Sequence, residues 1–173
     1  YYWHYRLHDF SNIRFQEVCY LLALLYKNDF KGNQFFQNQK IYEWALAVIR
    51  FWTKARNKDE STNEAYPYER SFCATSLSTF AITEAMLILG INEQIQLERT
   101  GLWLKNNSNI DVANQMAGSA ISLFNIYLLT GNVVFKKASE EKLVFAESAI
   151  APSLYIFPSS VALGILFSIS RTL

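Results

Sequence analysis

Three stretches of the chain carry almost no charge, and each is followed by a stretch in which apolar residues recur at helical spacing among charged ones. The charge-poor stretches are residues 13–26, 72–89 and 112–129, the last without any Asp, Glu, Lys or Arg. A helix so poor in charge is apolar around most of its circumference and must be buried on most sides. The following stretches, 41–56, 93–105 and 133–147, are amphipathic. In the first of them Trp44, Ala47, Val48, Phe51 and Trp52 stand against Glu43, Arg50, Lys54 and Arg56, which predicts one packed face and one wet face. The pattern predicts six helices arranged as three hairpins, each pairing a buried helix with a half-exposed partner.

Helix boundaries support this reading. The second and third buried helices end in Leu89-Gly90-Ile91-Asn92 and Thr130-Gly131-Asn132, where glycine can adopt the left-handed conformation that closes a helix. Gly90 and Gly131 are 41 positions apart, a usual period for a two-helix repeat, and the first copy ends comparably at Tyr26-Lys27-Asn28-Asp29. Ser108-Asn109-Ile110-Asp111 has the spacing of a capping box before the third buried helix, and Ser71 or Glu69 is placed to cap the second. A layer of buried helices wrapped by amphipathic ones is what helical hairpins make when their stack curves. The expected fold is therefore all-α: αα-hairpin repeats forming an (α/α) toroid or partial toroid over residues 1–147.

Composition narrows the functional classes. A chain of 173 residues can bury a sizeable core, and an aromatic content of 16% predicts bulky filling between helix layers. A net charge of +1, without a cluster of Lys or Arg to track a phosphate backbone, argues against nucleic acid. Cys19 and Cys73 fall inside buried helices and read as small core residues rather than a disulfide framework. His4 and His8 could share a helix face, but no metal-ligand motif accompanies them, so neither a metal nor another cofactor is expected.

The ends of the chain differ from its middle. Tyr1-Tyr2-Trp3-His4-Tyr5 reads as the interior of something longer. Residues 148–173 form a separate segment, uncharged from Ser148 to Ser170. That length could span a bilayer, but Pro152, Pro158 and six serines interrupt it, so a membrane span is disfavoured against a last core segment or a tail outside the repeat. The compartment is left open, with the cytoplasm slightly favoured over the periplasm.

Candidate chemistry lies on the long connection at residues 57–70. It delivers Tyr66, Tyr68, Glu69 and Arg70 to the start of the second buried helix. Asp9, Asn12 and Arg14 precede the first buried helix, and Asp111, Asn114 and Gln115 open the third. If the buried helices run parallel, these clusters converge on one mouth. Such a mouth suits a sugar chain: amides and carboxylates bind hydroxyls, tyrosines stack on sugar faces, and arginines with helix dipoles attract acidic groups. The plainer alternative is that Glu69 and Arg70 pair with each other, or with Arg14 and Asp111, and only satisfy helix ends.

The segments Tyr66-Pro67-Tyr68-Glu69-Arg70-Ser71-Phe72-Cys73-Ala74-Thr75 and Asp111-Val112-Ala113-Asn114-Gln115-Met116-Ala117-Gly118 resemble inner-helix openings of bacterial αα-toroid proteins associated with polysaccharides. That group includes the heparinase II/III-like lyases and similar proteins encoded among surface-polysaccharide genes. The resemblance covers about residues 10–147. It implies a ring of more hairpins than the three present. It also implies a lyase-like activity on acidic glycans, with Tyr66 or Tyr68 as acid or base and Arg70 and Asn114 neutralising the uronate carboxylate. The chain departs from the lyases in having no histidine in the loop or helix openings.

Other readings stand beside this one. Glycoside hydrolysis could use two carboxylates among Asp59, Glu60, Glu64, Glu69 and Asp111. Terpene-cyclase toroids share the shape, but their aspartate-rich motif is missing. A non-catalytic module could bind glycan or protein on a concave surface. An incomplete ring would also expose apolar flanks, so self-association or docking to a further toroid domain is expected.

Overall fold

The computed structural model describes residues 3–5, 8–91 and 96–150, with residues 3–5, 8, 9 and 147–150 described as backbone only. Among the described residues the fold is all-α apart from one short antiparallel pair, β1 (Trp3–Tyr5) and β2 (His8–Phe10). His4 and His8 therefore do not share a helix face. His4 is in register with Asp9 and His8 with Tyr5, in an aromatic-rich stretch that favours strand over helix. A 3-10 turn at Ile13–Glu17 then leads into α1 (Val18–Lys27), followed by α2 (Gln39–Ala55), α3 (Phe72–Leu89), α4 (Leu97–Asn106), α5 (Ala113–Thr130) and α6 (Val133–Ile150). The uncharged tail and its membrane-span alternative fall, beyond Ile150, outside the described residues.

The three charge-poor helices α1, α3 and α5 pack side by side and run in the same direction. Arg14 lies at Cys73 and Tyr20 at Phe80, so α1 and its preceding turn advance with α3. Ser122 Oγ donates to Ser76 O and Asn125 Nδ2 to Glu84 Oε1, so α3 advances with α5. The amphipathic helices lie outside this row. Tyr42 at the start of α2 stacks on Tyr26 at the end of α1, and Ser139 of α6 donates to Ala120 O of α5. On α4, Trp103 packs on Phe72 at the start of α3, and Gly101 faces Phe135 of α6.

Helix α3 shows how a helix with one charged residue packs on both sides. On composition alone it is apolar and long enough to cross a bilayer, yet it is the middle of the row. Its buried positions include Thr75, Ser76, Ser78, Thr79 and Thr83. Thr75, Thr79 and Thr83 return their hydroxyls to backbone carbonyls four residues earlier, and Ser78 accepts from Trp52 Nε1 at 3.0 Å. Small hydroxyl residues thus allow close helix approach without leaving polar atoms unpaired. Gly118 of α5 serves the same approach, since a Cβ there would stand 2.7 Å from Leu77 Cδ2.

The ends of the helices follow the sequence in part. Gly90 and Gly131 close α3 and α5 with φ of 66° and 74°. Ser71, not Glu69, caps α3, accepting from Ala74 N at 3.1 Å. The capping box expected at Ser108 does not form: α5 opens at Val112 without a side-chain cap, and Ser108 Oγ accepts from Lys142 Nζ. The packed face of α2 is also rotated from the one expected. Ile41, Ala45, Ile49 and Trp52 are buried, while Ala47 is exposed and Trp44 lies on the surface beneath Lys40. Alanine at nine of the buried core positions lets the helices approach closely, and large aromatics are fewer there than composition suggested, with Trp52 and Phe135 fully buried.

Candidate functional site

The connection between α2 and α3 is braced on both sides of Tyr66-Pro67-Tyr68. Asn57 and Asn63 exchange reciprocal amide bonds of 3.1 Å, and Thr62 pairs with Ser71 as an antiparallel bridge. Thr62 N donates to Thr75 Oγ1, and Asn63 O accepts from Ile13 N, fixing the loop to both α3 and the 3-10 turn. Three non-glycine residues in this loop have left-handed backbone: Glu60 at φ 75°, Tyr68 at 63° and Arg70 at 54°. Each such conformation costs on the order of 1 kcal/mol and persists where surrounding bonds enforce it.

The structure brings the start of the three inner helices to one end of the row. Arg14 NH1 lies 3.5 Å from Cys73 Sγ in the first turn of α3, and Phe72 packs on the cluster formed by Met116 and Ala117 near the start of α5 with Ala146 of α6. Around this mouth the expected residues have distinct surroundings. Tyr66 is 48% exposed and Tyr68 86% exposed, both carried on the braced loop. Glu69 Oε2 accepts from the amides of Glu64 and Ala65 at 2.7 and 2.8 Å, so it holds the loop rather than pairing with Arg70. Arg70 extends toward Asp59, with Nε 3.3 Å from Oδ2, and keeps most of its guanidinium in solvent.

Asn12 is buried and caps the 3-10 turn by accepting from Arg14 N at 2.9 Å. The Arg14 guanidinium pairs with Glu17 and lies 3.5 Å from Glu64, not beside Glu69 or Asp111. Burial works against its charge, but the two carboxylates outweigh burial and raise its pKa. Asp111 and Asn114 are exposed, and Gln115 accepts from Asn109 Nδ2 at 3.0 Å. The pairings considered from sequence are thus replaced by others: Glu69 with loop amides, Arg70 with Asp59, and Arg14 with Glu17 and Glu64.

Of the carboxylates proposed for acid and base roles, those on the 57–70 loop are engaged as well, whereas Asp111 is exposed. Asp59 accepts from the Ser61 amide and hydroxyl. Burial opposes its charge, but those bonds and Arg70 outweigh it and hold its pKa below the ordinary value. Glu60 is buried between Arg56 and Arg99, and Glu64 faces Arg14. Both cysteines are free thiols, and burial pushes Cys19 up to about 12 and Cys73 upward as well. Among the described residues, no three His, Cys, Asp or Glu side chains come together in a way that would hold a metal ion.

Two features were not singled out from the sequence. Lys142 of α6 is buried beneath the mouth, donating to Asn107 O at 2.7 Å and Ser108 Oγ at 2.9 Å, with Nζ 5.5 Å from the Phe72 ring centroid. A polar cleft of about 530 Å³, lined by Thr53, Arg56, Asn57, Lys58, Glu60, Gln96 and Arg99, lies behind the same loop. The spacing of Arg56 and Glu60 at i and i+4 was a readable signal for the second. Their partner Arg99 lies far along the chain and gave none. No protein-family model, curated protein or solved structure matches the chain at a significant level.

Proposed function

We propose that this chain is a partial (α/α) toroid that binds an acidic glycan across the mouth formed by the openings of its inner helices, without itself performing catalysis. The observation that carries the reading is the braced loop that holds Tyr66 and Tyr68 in solvent beside the exposed guanidinium of Arg70. A rigid loop presenting aromatic rings offers stacking surface at little entropic cost. The uncapped start of α5, with Asn114 exposed beside it, adds a positive dipole end for a uronate carboxylate. The relationship to polysaccharide-associated toroids inferred from the helix openings fits the parallel inner row and antiparallel outer helices.

A binding role is preferred over hydrolysis because Asp59, Glu60, Glu64 and Glu69 each serve an internal cation or amide. It is preferred over elimination because Arg70, the group that would activate a tyrosine, reaches toward Asp59. The test is titration with polygalacturonate, with neutral dextran as control. Tyr66→Ala/Tyr68→Ala should weaken binding about tenfold or more, as loss of exposed aromatic anchors does. Equal binding by wild type and the double variant would refute the site. Release of an unsaturated uronate product that disappears in Tyr68→Phe would replace the binding role with the lyase one.

A further inference from the structure

We infer that the cleft between the end of α2, the start of the 57–71 loop and the start of α4 is an oxyanion-binding subsite, suited to a sulfate or phosphate group. Its walls place two guanidiniums around a single carboxylate. Glu60 Oε2 receives Arg56 NH1 and, at 3.2 Å, the Thr100 hydroxyl, while Oε1 lies 3.2 Å from Arg99 Nε. One positive charge is left over, and the exposed ammonium of Lys58 on the cleft wall supplies another. One buried and one partly exposed guanidinium in excess of their carboxylate create a field that attracts an anion.

The donors are held in place before any ligand arrives. The Arg56 guanidinium lies 4.7 Å from the Trp52 ring centroid, and the Trp52 ring is itself fixed by its bond to Ser78. Arg56 Nε donates to Thr53 O, and Arg99 is steadied by Gln96 Oε1 at 2.9 Å and Lys58 O at 3.3 Å. Side-chain exposures of 5% for Arg56 and 9% for Glu60 separate an inner pair from the outer Arg99, which is 56% exposed. Burial and the nearby charge of Arg99 both lower the pKa of Arg56, the cost expected where two cations share one anion. The Glu60 carboxylate sits between the two guanidiniums, in the place an external anion would share.

A cleft of about 530 Å³ accommodates a tetrahedral oxyanion attached to a larger molecule. The Arg70–Asp59 pair joins this wall to the loop that carries Tyr66 and Tyr68. The proposal uses the glycan reading only for the identity of that larger molecule, and inorganic ions test the site separately.

The experiment measures the thermal midpoint of the full chain in increasing sodium sulfate, against sodium chloride at equal ionic strength. The wild type should show a saturable rise with sulfate, as expected when an ion binds only the folded state. Lys58→Ala/Arg99→Gln should weaken the apparent affinity about tenfold or more, since it removes two charge-assisted donors. Glu60→Gln removes the internal competitor and should bind sulfate more tightly than wild type, recovering stability that its unpaired arginines lose. A rise that does not saturate and is equal in wild type and Lys58→Ala/Arg99→Gln would overturn the proposal. If Glu60→Gln does not fold even in sulfate, the comparison of Lys58→Ala/Arg99→Gln with wild type decides alone. Sulfate binding without polygalacturonate binding would leave this subsite standing and remove the glycan reading of the mouth.

Discussion

Lys142 should make the fold more stable as the solution turns alkaline, within a window set by its surroundings. Its ammonium is buried against Phe72 and two oxygen acceptors, and burial holds its pKa down to about 8 from 10.5, with Glu141 pulling the other way. Between those values the unfolded chain keeps a proton that the folded chain has shed, so raising pH favours folding. Well below pH 8 the cost of burying the charge is fully present. From pH 7 to 9 the linkage gain is about 1 kcal/mol, or about 2 to 4 °C for a domain of this size. From about pH 8 upward the Cys19 thiol, pushed from 9.0 up to about 12, acts in the opposite sense and offsets part of this gain, because the unfolded chain then loses a proton that the folded chain retains. The assay is urea unfolding followed by circular dichroism at pH 7, 8 and 9, in wild type and Lys142→Met. Wild-type stability should rise across the series and the variant should lose that rise. A flat or falling wild-type profile, or the same slope in Lys142→Met, would refute the reasoning.

Packing gives further expected outcomes. Gly101→Ala would place a Cβ 2.7 Å from Cε1 of the buried Phe135 ring, so despite a better helix former it should lower the unfolding free energy in urea by about 1 kcal/mol or more. Combining it with Phe135→Leu should cost less than the two changes added, and strict additivity would argue against the clash. Trp52→Phe removes the donor to Ser78 and should cost about 2 kcal/mol by equilibrium unfolding, with an unchanged midpoint counting against that bond. The row of inner helices leaves Val18 36% and Leu21 54% exposed on α1. Sedimentation at high concentration should show self-association that Leu21→Glu reduces, and a monodisperse wild-type monomer would contradict this expectation.

Much of the helical scheme was readable because it rests on local signals. The scarcity of charge from Phe72 to Leu89 marked α3, and Gly90 and Gly131 marked two helix ends through the left-handed geometry that only glycine adopts easily. The face of α2 was misplaced because Trp44 looks like core by hydropathy, whereas the stripe Ile41, Ala45, Ile49 and Trp52 packs more closely. The Ser108 capping box failed because Lys142, from another helix, takes the serine oxygen. The parallel course of α1, α3 and α5 brings their starts to one end of the row, as the charge-poor stretches suggested. The side-chain pairings there were not readable, because they join residues that spacing does not relate, such as Arg70 with Asp59 and Arg14 with Glu64. The cleft at Glu60 escaped because Arg56 and Arg99 meet there across 43 positions of sequence.

The proposed binding of an acidic glycan across the helix openings is tested by mapping backbone amide shifts of the isotope-labelled chain during titration with an oligogalacturonate. Binding there should give saturable shifts concentrated at Tyr66, Tyr68, Arg70, Arg14 and Asn114, with residues of the opposite end, such as Phe30 and Phe36, unmoved. Shifts confined to that opposite end, or no saturable shifts anywhere, would contradict it.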